Sequence, residues 1–279
     1  MSYKTLVTVV RHPDHDSAHL EAAIALAKAE DAHLHVVALG IERVPPEAFY
    51  GGTASIAVQG TLTNAIEDAD AAEKAVAERL NRSDATADVQ RVVAQIGAIS
   101  QVVARLASLS DLVILPQPYG ENRHAEDVAI LEAALFSTRT PVLVLPAGVQ
   151  DAPAARKIVI AWNQSAEALA ATRAALPMLK AADMVDILVI DPPKHSSGLA
   201  DPGAQLAEML ARHDVVVDVS VVAQTMPAVS DVIDRHVSDQ GADMVVMGAY
   251  GHSRLMEAIL GGATRNMLEK SRVPVLMAH

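Results

Sequence analysis

Four glycines fall within eighteen residues near the C-terminus, in Met247-Gly-Ala-Tyr-Gly-His-Ser-Arg-Leu-Met-Glu-Ala-Ile-Leu-Gly-Gly-Ala-Thr264. Average usage would place about one there, so the cluster needs a cause. Gly248 closes an apolar run with strand character, while Gly261 and Gly262 open a helix expected to run to about Lys270. A glycine at a strand end lets another group approach the backbone closely. A helix N-terminus offers unpaired N–H groups and a positive dipole end, which suits phosphate. Arg254 could add charge and Thr264 a hydroxyl. The same glycines would also serve as tight turns and caps, so both readings stand on physics alone.

The rest of the chemical inventory is mostly negative. The chain has no cysteine, which excludes a disulfide, a thiolate zinc site, an iron–sulfur cluster and a thiol nucleophile. Nucleophile-elbow, phosphate-loop, zinc-protease and dinucleotide fingerprints are missing, and nothing proposes a nucleophile. His15 and His19 share a helical spacing beside Asp14 and Asp16, a set that a transition metal would accept. The plainer reading is a solvated helix start with Ser17 as N-cap. Trp162 reads as a packing residue, and Met244 and Met247 as core filler.

These residues need a scaffold, and the chain writes one twice. Lys4–Val10 matches Lys157–Asn163, and His33–Leu39 matches Val185–Asp191. Val92–Gln95 matches Val221–Gln224, Asp111–Leu115 matches Asp243–Met247, and Pro141–Leu145 matches Pro274–Met277. Helical patterns lie between, at Ser17–Glu30, Leu62–Leu80 and Ser165–Ala181. Apolar strands alternating with helices predict α/β architecture with parallel sheets covered on both faces. The boundary is expected in Pro146–Pro153, which divides the chain into residues 1–150 and 151–279. The irregular stretch Gly40–Gly60 reads as a surface loop, with a lid as the alternative.

At 279 residues and 51% apolar, each half can bury its own core. A net charge of −12 with no clustered basic run excludes a duplex-binding surface. The opening apolar run is short and is cut off by Arg11, His12 and Pro13, unlike a signal peptide. No stretch is apolar for long enough to span a membrane. A cytoplasmic protein without nucleic-acid or membrane partners is expected.

Gly248-x2-Gly251-x9-Gly261, after a strand and before a helix and a Pro-Val-Leu strand, resembles the nucleotide-binding signature of universal stress proteins. Lys157–Ser165 resembles that family's opening strand and turn, and the doubled layout resembles its tandem members. The resemblance implies two doubly wound domains, each a five-stranded parallel sheet in order 3-2-1-4-5. In members that bind ATP, the turn after strand one and the end of strand two hold adenine and ribose. Carried over, this implies Ala161, Asn163 and Val189, with the phosphates on Gly248, Gly251, Gly261, Gly262 and Ala263, beside Thr264. ATP, with or without Mg²⁺, is the implied ligand. Two departures stand out. Asn163 replaces the family's usual acidic residue, and Gly262 stands where its ATP pattern has Ser or Thr.

The N-terminal half reads as degenerate. Pro116 and Tyr119 stand where Gly248 and Gly251 would be, and Val128 and Ala129 match Gly261 and Gly262. One adenine-nucleotide site per chain is expected, in a regulatory protein of the stress response whose protein partners the sequence does not name. Alternatives are a slow ATP-hydrolysing enzyme, with Glu257 as its only visible carboxylate, and a nucleotide-free interaction module. Unpaired apolar edges are an aggregation hazard. Pro141–Leu145 and Pro274–Met277 are therefore expected to pair antiparallel in an intrachain pseudo-dimer, with a further homodimer also open.

Overall fold

The structure, a computed structural model, describes residues 2–43, 54–151, 155–192, 202–249 and 262–279. Two compact units divide the chain. One holds Tyr3–Thr140 and Ala147–Ala152, and the other is built from Pro141–Pro146 and Pro153–His279.

The first unit alternates β1 (Thr5–Val10), α1 (Pro13–Glu30), β2 (His33–Glu42), α2 (Ala54–Leu80), β3 (Ala87–Gln95), α3 (Ile99–Ala107), β4 (Leu112–Pro116) and α4 (Ala125–Ala133). A π-helical turn, Ala134–Thr138, continues α4. Its strands run β3-β2-β1-β4, all parallel. β1 and β4 are apolar through almost their whole length because both sheet faces are covered. On β3, at the outer end of the order, residues alternate between exposed and half-buried over its first half.

The second unit contains β5 (Val142–Leu145), β6 (Lys157–Ala161), α5 (Ala166–Ala174), α6 (Leu176–Ala181), β7 (Met184–Ile190), α7 (Ala204–Ala211), β8 (Val217–Val222), α8 (Val229–Gln240), β9 (Met244–Gly248), α9 (Ala263–Lys270) and β10 (Val275–Ala278). Its order is β5-β10-β9-β6-β7-β8. From β6 to β10 this is the expected 3-2-1-4-5, with every pair parallel. β5, the last strand of the N-terminal half, lies antiparallel against β10 through Val142↔Met277, Leu143↔Leu276 and Val144↔Val275. The two apolar Pro-Val-Leu strands therefore pair with each other.

The same device anchors the starts of β1 and β6. Asp111 Oδ2 accepts the N–H groups of Lys4 and Thr5 at 2.7 and 2.9 Å. Asp243 Oδ2 accepts those of Arg156 and Lys157 at 2.9 and 3.0 Å. Thr5 thus corresponds to Lys157, and Arg11 to Asn163. The sequence match of Lys4 with Lys157 was off by one, because two lysines at strand starts look alike while the aspartate anchors fix the register.

Several local expectations are corrected. α1 starts at Pro13 with His12 as N-cap, since proline is pre-organised for a first turn. Ser17 instead sits inside the helix, its hydroxyl donating to Asp14 O at 3.3 Å. Ser165 does cap α5, accepting the Ala168 N–H at 3.1 Å. The helix foreseen over 165–181 is split at Ala175, with Pro177 in the first turn of α6. The stretch 40–60 is not one loop: β2 runs through Gly40 to Glu42, and α2 begins at Ala54. A Cβ on Gly40 would lie 1.9 Å from Ala65 O, so glycine is what lets α2 press against β2. The remainder of that stretch, 44–53, lies outside the described residues.

Candidate functional site

In the second unit, β6 lies between β7 and β9, and its connection leaves in the opposite direction from that of β9. Such a switch point opens a crevice at the C-terminal strand ends. Register places Ala161 opposite Leu188 on β7 and opposite Met247 on β9. Val189 and Gly248 therefore follow one residue beyond Ala161's level. Three of the expected residues share one edge of three adjacent strands.

The turn after β6 is built from its own side chains. The Trp162 N–H donates to Leu188 O at 2.9 Å, and the indole Nε1 donates to Pro202 O at 3.0 Å. Trp162 thus anchors the turn. Asn163, exposed, accepts the Ser165 N–H on Oδ1 at 3.1 Å, across Gln164 at a φ of 63°. Asparagine makes this local turn as readily as aspartate would.

Gly248 has a packing reason to be glycine. A Cβ there would fall 2.6 Å from Ala168 N and 2.9 Å from Glu167 Cβ. The group that approaches this strand end is the first turn of α5, and it brings Glu167 beside Gly248. The sequence reading counted only Glu257. Glu167 was missed because only the fold carries it across.

Gly262 is the N-cap of α9, at φ −50° and ψ 155°, with no capping side chain and no acidic residue in the first turn. Ala263 and Thr264 follow as its first two residues, and the Thr264 side chain is buried. Gly251, Gly261, Arg254 and Glu257 lie outside the described residues. Met244 and Met247 are buried core, as expected.

The corresponding strand ends of the first unit are filled. A cavity of about 10 Å³ is lined by Val9, Arg11, Asp16, Pro116, Arg123 and Asp127, among others, roughly room for one water. Asp16 Oδ2 accepts the N–H groups of Arg11 and His12 at 2.8 and 3.0 Å. Its Oδ1 takes Arg123 Nη1 at 2.8 Å. Asp127 Oδ2 accepts the His124 N–H at 2.7 Å, and its Oδ1 lies 3.0 Å from Arg11 Nη1 and 3.7 Å from Arg123 Nη1. Burial pushes the Asp16 carboxyl up, but His19, the two N–H groups and Arg123 together hold it below the ordinary carboxylate value.

His19, nearby, is fully buried, and desolvation pushes its pKa down despite Asp16. Its Nε2 meets Val9 O at 3.1 Å. Asp16 and His19 are thus engaged inside the protein, and among the described residues no group that could hold a metal ion assembles. Val128 and Ala129, matched by sequence to the helix-opening glycines, lie inside α4, which starts at Ala125. Counting back from the final strands missed this because α4 and its π-helical turn are longer than α9. Sequence reasoning also missed the Arg11–Asp16–Arg123–Asp127 network. The interruption of an apolar run by Arg11 and the acidic pair Glu126-Asp127 were its visible signals.

The family model for the universal stress protein family matches residues 154–279. Residues 154–279 are thus similar to that family. The universal stress protein MJ0577 of Methanocaldococcus jannaschii is 44% identical over 45 residues, 16% of this chain and 28% of that protein. Universal stress protein Slr1230 of Synechocystis sp. is 39% identical over 46 residues, 16% of each chain. The chain thus matches less than a third of the length of these curated relatives. A universal stress protein structure from Archaeoglobus fulgidus shares the fold, with a TM-score of 0.65, 14% identity, and coverage of 98% of this chain and 95% of that one. Among the described residues no helix is long and apolar enough to cross a membrane.

Proposed function

We propose that residues 151–279 bind an adenine nucleotide, ATP, at the C-terminal ends of β6, β7 and β9, and that residues 1–150 are a degenerate partner domain. Adenine and ribose would rest on Ala161, Asn163 and Val189. The phosphates would lie on Gly248, Gly251, Gly261, Gly262, Ala263 and Thr264. If Mg²⁺ accompanies the nucleotide, Glu167 would be its candidate carboxylate, since its Cβ lies beside Gly248. The observation that carries this reading is the start of α9: a glycine N-cap and a first turn without acid. Such a helix end keeps its positive dipole for an anion.

In this reading the chain is a cytoplasmic regulatory protein of the stress response, acting by binding. Titration calorimetry of the full chain with ATP tests it. One site per chain is expected. Two equivalent sites would overturn the asymmetry, and no heat at millimolar ATP would leave a nucleotide-free interaction module. Bound ADP or AMP in the purified protein would favour the slow hydrolase instead.

A further inference from the structure

We propose that the strand-end crevice of the first unit is an anion site occupied by the chain's own carboxylates, Asp16 and Asp127. Two guanidinium groups face two carboxylates there, so the cluster balances its charge internally. Arg11 is only 4% exposed and Asp16 only 2%. The N–H groups that Asp16 takes are those of Arg11 and His12 in the turn after β1, and the one Asp127 takes is that of His124 at the start of α4. Strand-end turns and helix starts are where α/β folds present backbone donors to phosphate. In this unit the carboxylates stand in the ligand's place.

A second feature points the same way. Arg11 Nη1, buried, makes no geometrically sound hydrogen bond, although it lies 3.0 Å from Asp127 Oδ1. It is held in the cluster by charge, with donor capacity to spare. The cavity of about 10 Å³ admits at most a water while both carboxylates are in place. Removing one carboxylate leaves a buried cation without its partner, a costly state. An anion from solvent relieves that cost if there is room for it. Truncation of Asp127 vacates a carboxylate-sized position faced by Arg11, Arg123 and the His124 N–H.

The experiment is chemical rescue by inorganic phosphate in the full chain carrying Asp127→Ala. Melting is followed against phosphate concentration, with sodium chloride of equal ionic strength as control and the parent in parallel. The second unit is untouched by the substitution, so any phosphate effect there is common to both proteins and cancels. The variant is expected to melt below the parent in chloride and to recover saturably in millimolar phosphate, with one more phosphate bound per chain by calorimetry. A variant that responds to phosphate no more than the parent does overturns the proposal. Asp127→Ser keeps a capping hydroxyl for α4 while vacating the arginine-facing oxygen, and serves if the alanine variant does not fold. If the serine variant also shows no excess phosphate response, the proposal fails.

Discussion

The two units end their first strands alike and then diverge at three positions. Arg11 in one corresponds to Asn163 in the other, and Pro116 corresponds to Gly248. At the third residue of the following helix, the first unit has Asp127 and the second Arg265. In the first unit the donors at the strand and helix ends are satisfied from within by Asp16 and Asp127. In the second, the turn after β6 closes on Asn163 and Ser165, and α9 starts on a bare glycine. One scaffold thus carries two treatments of its strand-end crevice: the first unit neutralises it internally, and the second, as proposed above, takes a ligand there. A buried ion cluster is a poor way to gain stability, because desolvation consumes most of the Coulombic gain. The network in the first unit is better understood through what it replaces.

The largest expected effect breaks that network. Asp16→Ala places in the first unit the residue that the second has at the corresponding position, Ala168. It removes three hydrogen bonds and leaves Arg123 short of its partner. Loss of one member of a buried pair costs about 3–5 kcal/mol, and urea unfolding should show a loss of that order. A loss under about 1 kcal/mol would mean that solvent screens the cluster, and the contrast between the units would collapse.

Next comes Gly248→Ala in the second unit. The added methyl would sit 2.6 Å from Ala168 N, in backbone that cannot move aside cheaply. Overpacking of this kind costs about 1–3 kcal/mol, measurable by urea unfolding without ligand. An alanine variant as stable as the parent would show that α5 is not seated on the strand end, and would leave ligand access as the reason for the glycine.

The layout of strands and helices was legible because apolar runs and helical periodicity are local signals, as was the helix start at Gly262. The reason for Gly248 was not legible, since its neighbour Ala168 arrives by way of a turn and a helix start. The Arg11–Asp127 pair spans most of the first unit. No spacing rule brings together two charges so distant in sequence, and only the order β3-β2-β1-β4 does so. Ser17 misled because a good capping residue was present, while Pro13, a stronger start signal, stood four residues earlier.

A pH scan separates the units more gently. The folded pKa of His19 is lowered by burial, opposed by Asp16 and Asp127 and aided by Arg123. Its contribution to stability is therefore complete above the unfolded value of about 6.5 and is lost as pH falls toward the folded value. The loss approaches ~1.4 kcal/mol per pH unit. Asp16, also lowered, keeps its contribution through this window and loses it only in stronger acid. Stability of the full chain should fall from about pH 6.5 downward, and His19→Gln should flatten that slope. An unchanged slope in the glutamine variant would show that another group sets the acid limit.

The smallest structural change tests the proposed site of the second unit. Gly262→Asp gives α9 an acidic N-cap, moving the second unit toward the first, where Asp127 occupies the helix start. The backbone at Gly262 is extended rather than left-handed, so aspartate fits, and it is a favoured N-cap that also suits the dipole. Stability without ligand should hold or rise by a few tenths of a kcal/mol. A phosphate arriving there would meet a like charge about 4 Å away, repelled by ~1 kcal/mol in water and ~4 kcal/mol at an effective dielectric of 20. ATP affinity should therefore fall at least tenfold, about 1.4 kcal/mol, by calorimetry. Gly262→Ser, which adds a hydroxyl without charge, should keep or improve binding. If the aspartate variant bound ATP as well as the parent, the phosphates could not lie on α9, and the two crevices would differ for some reason other than which anion fills them.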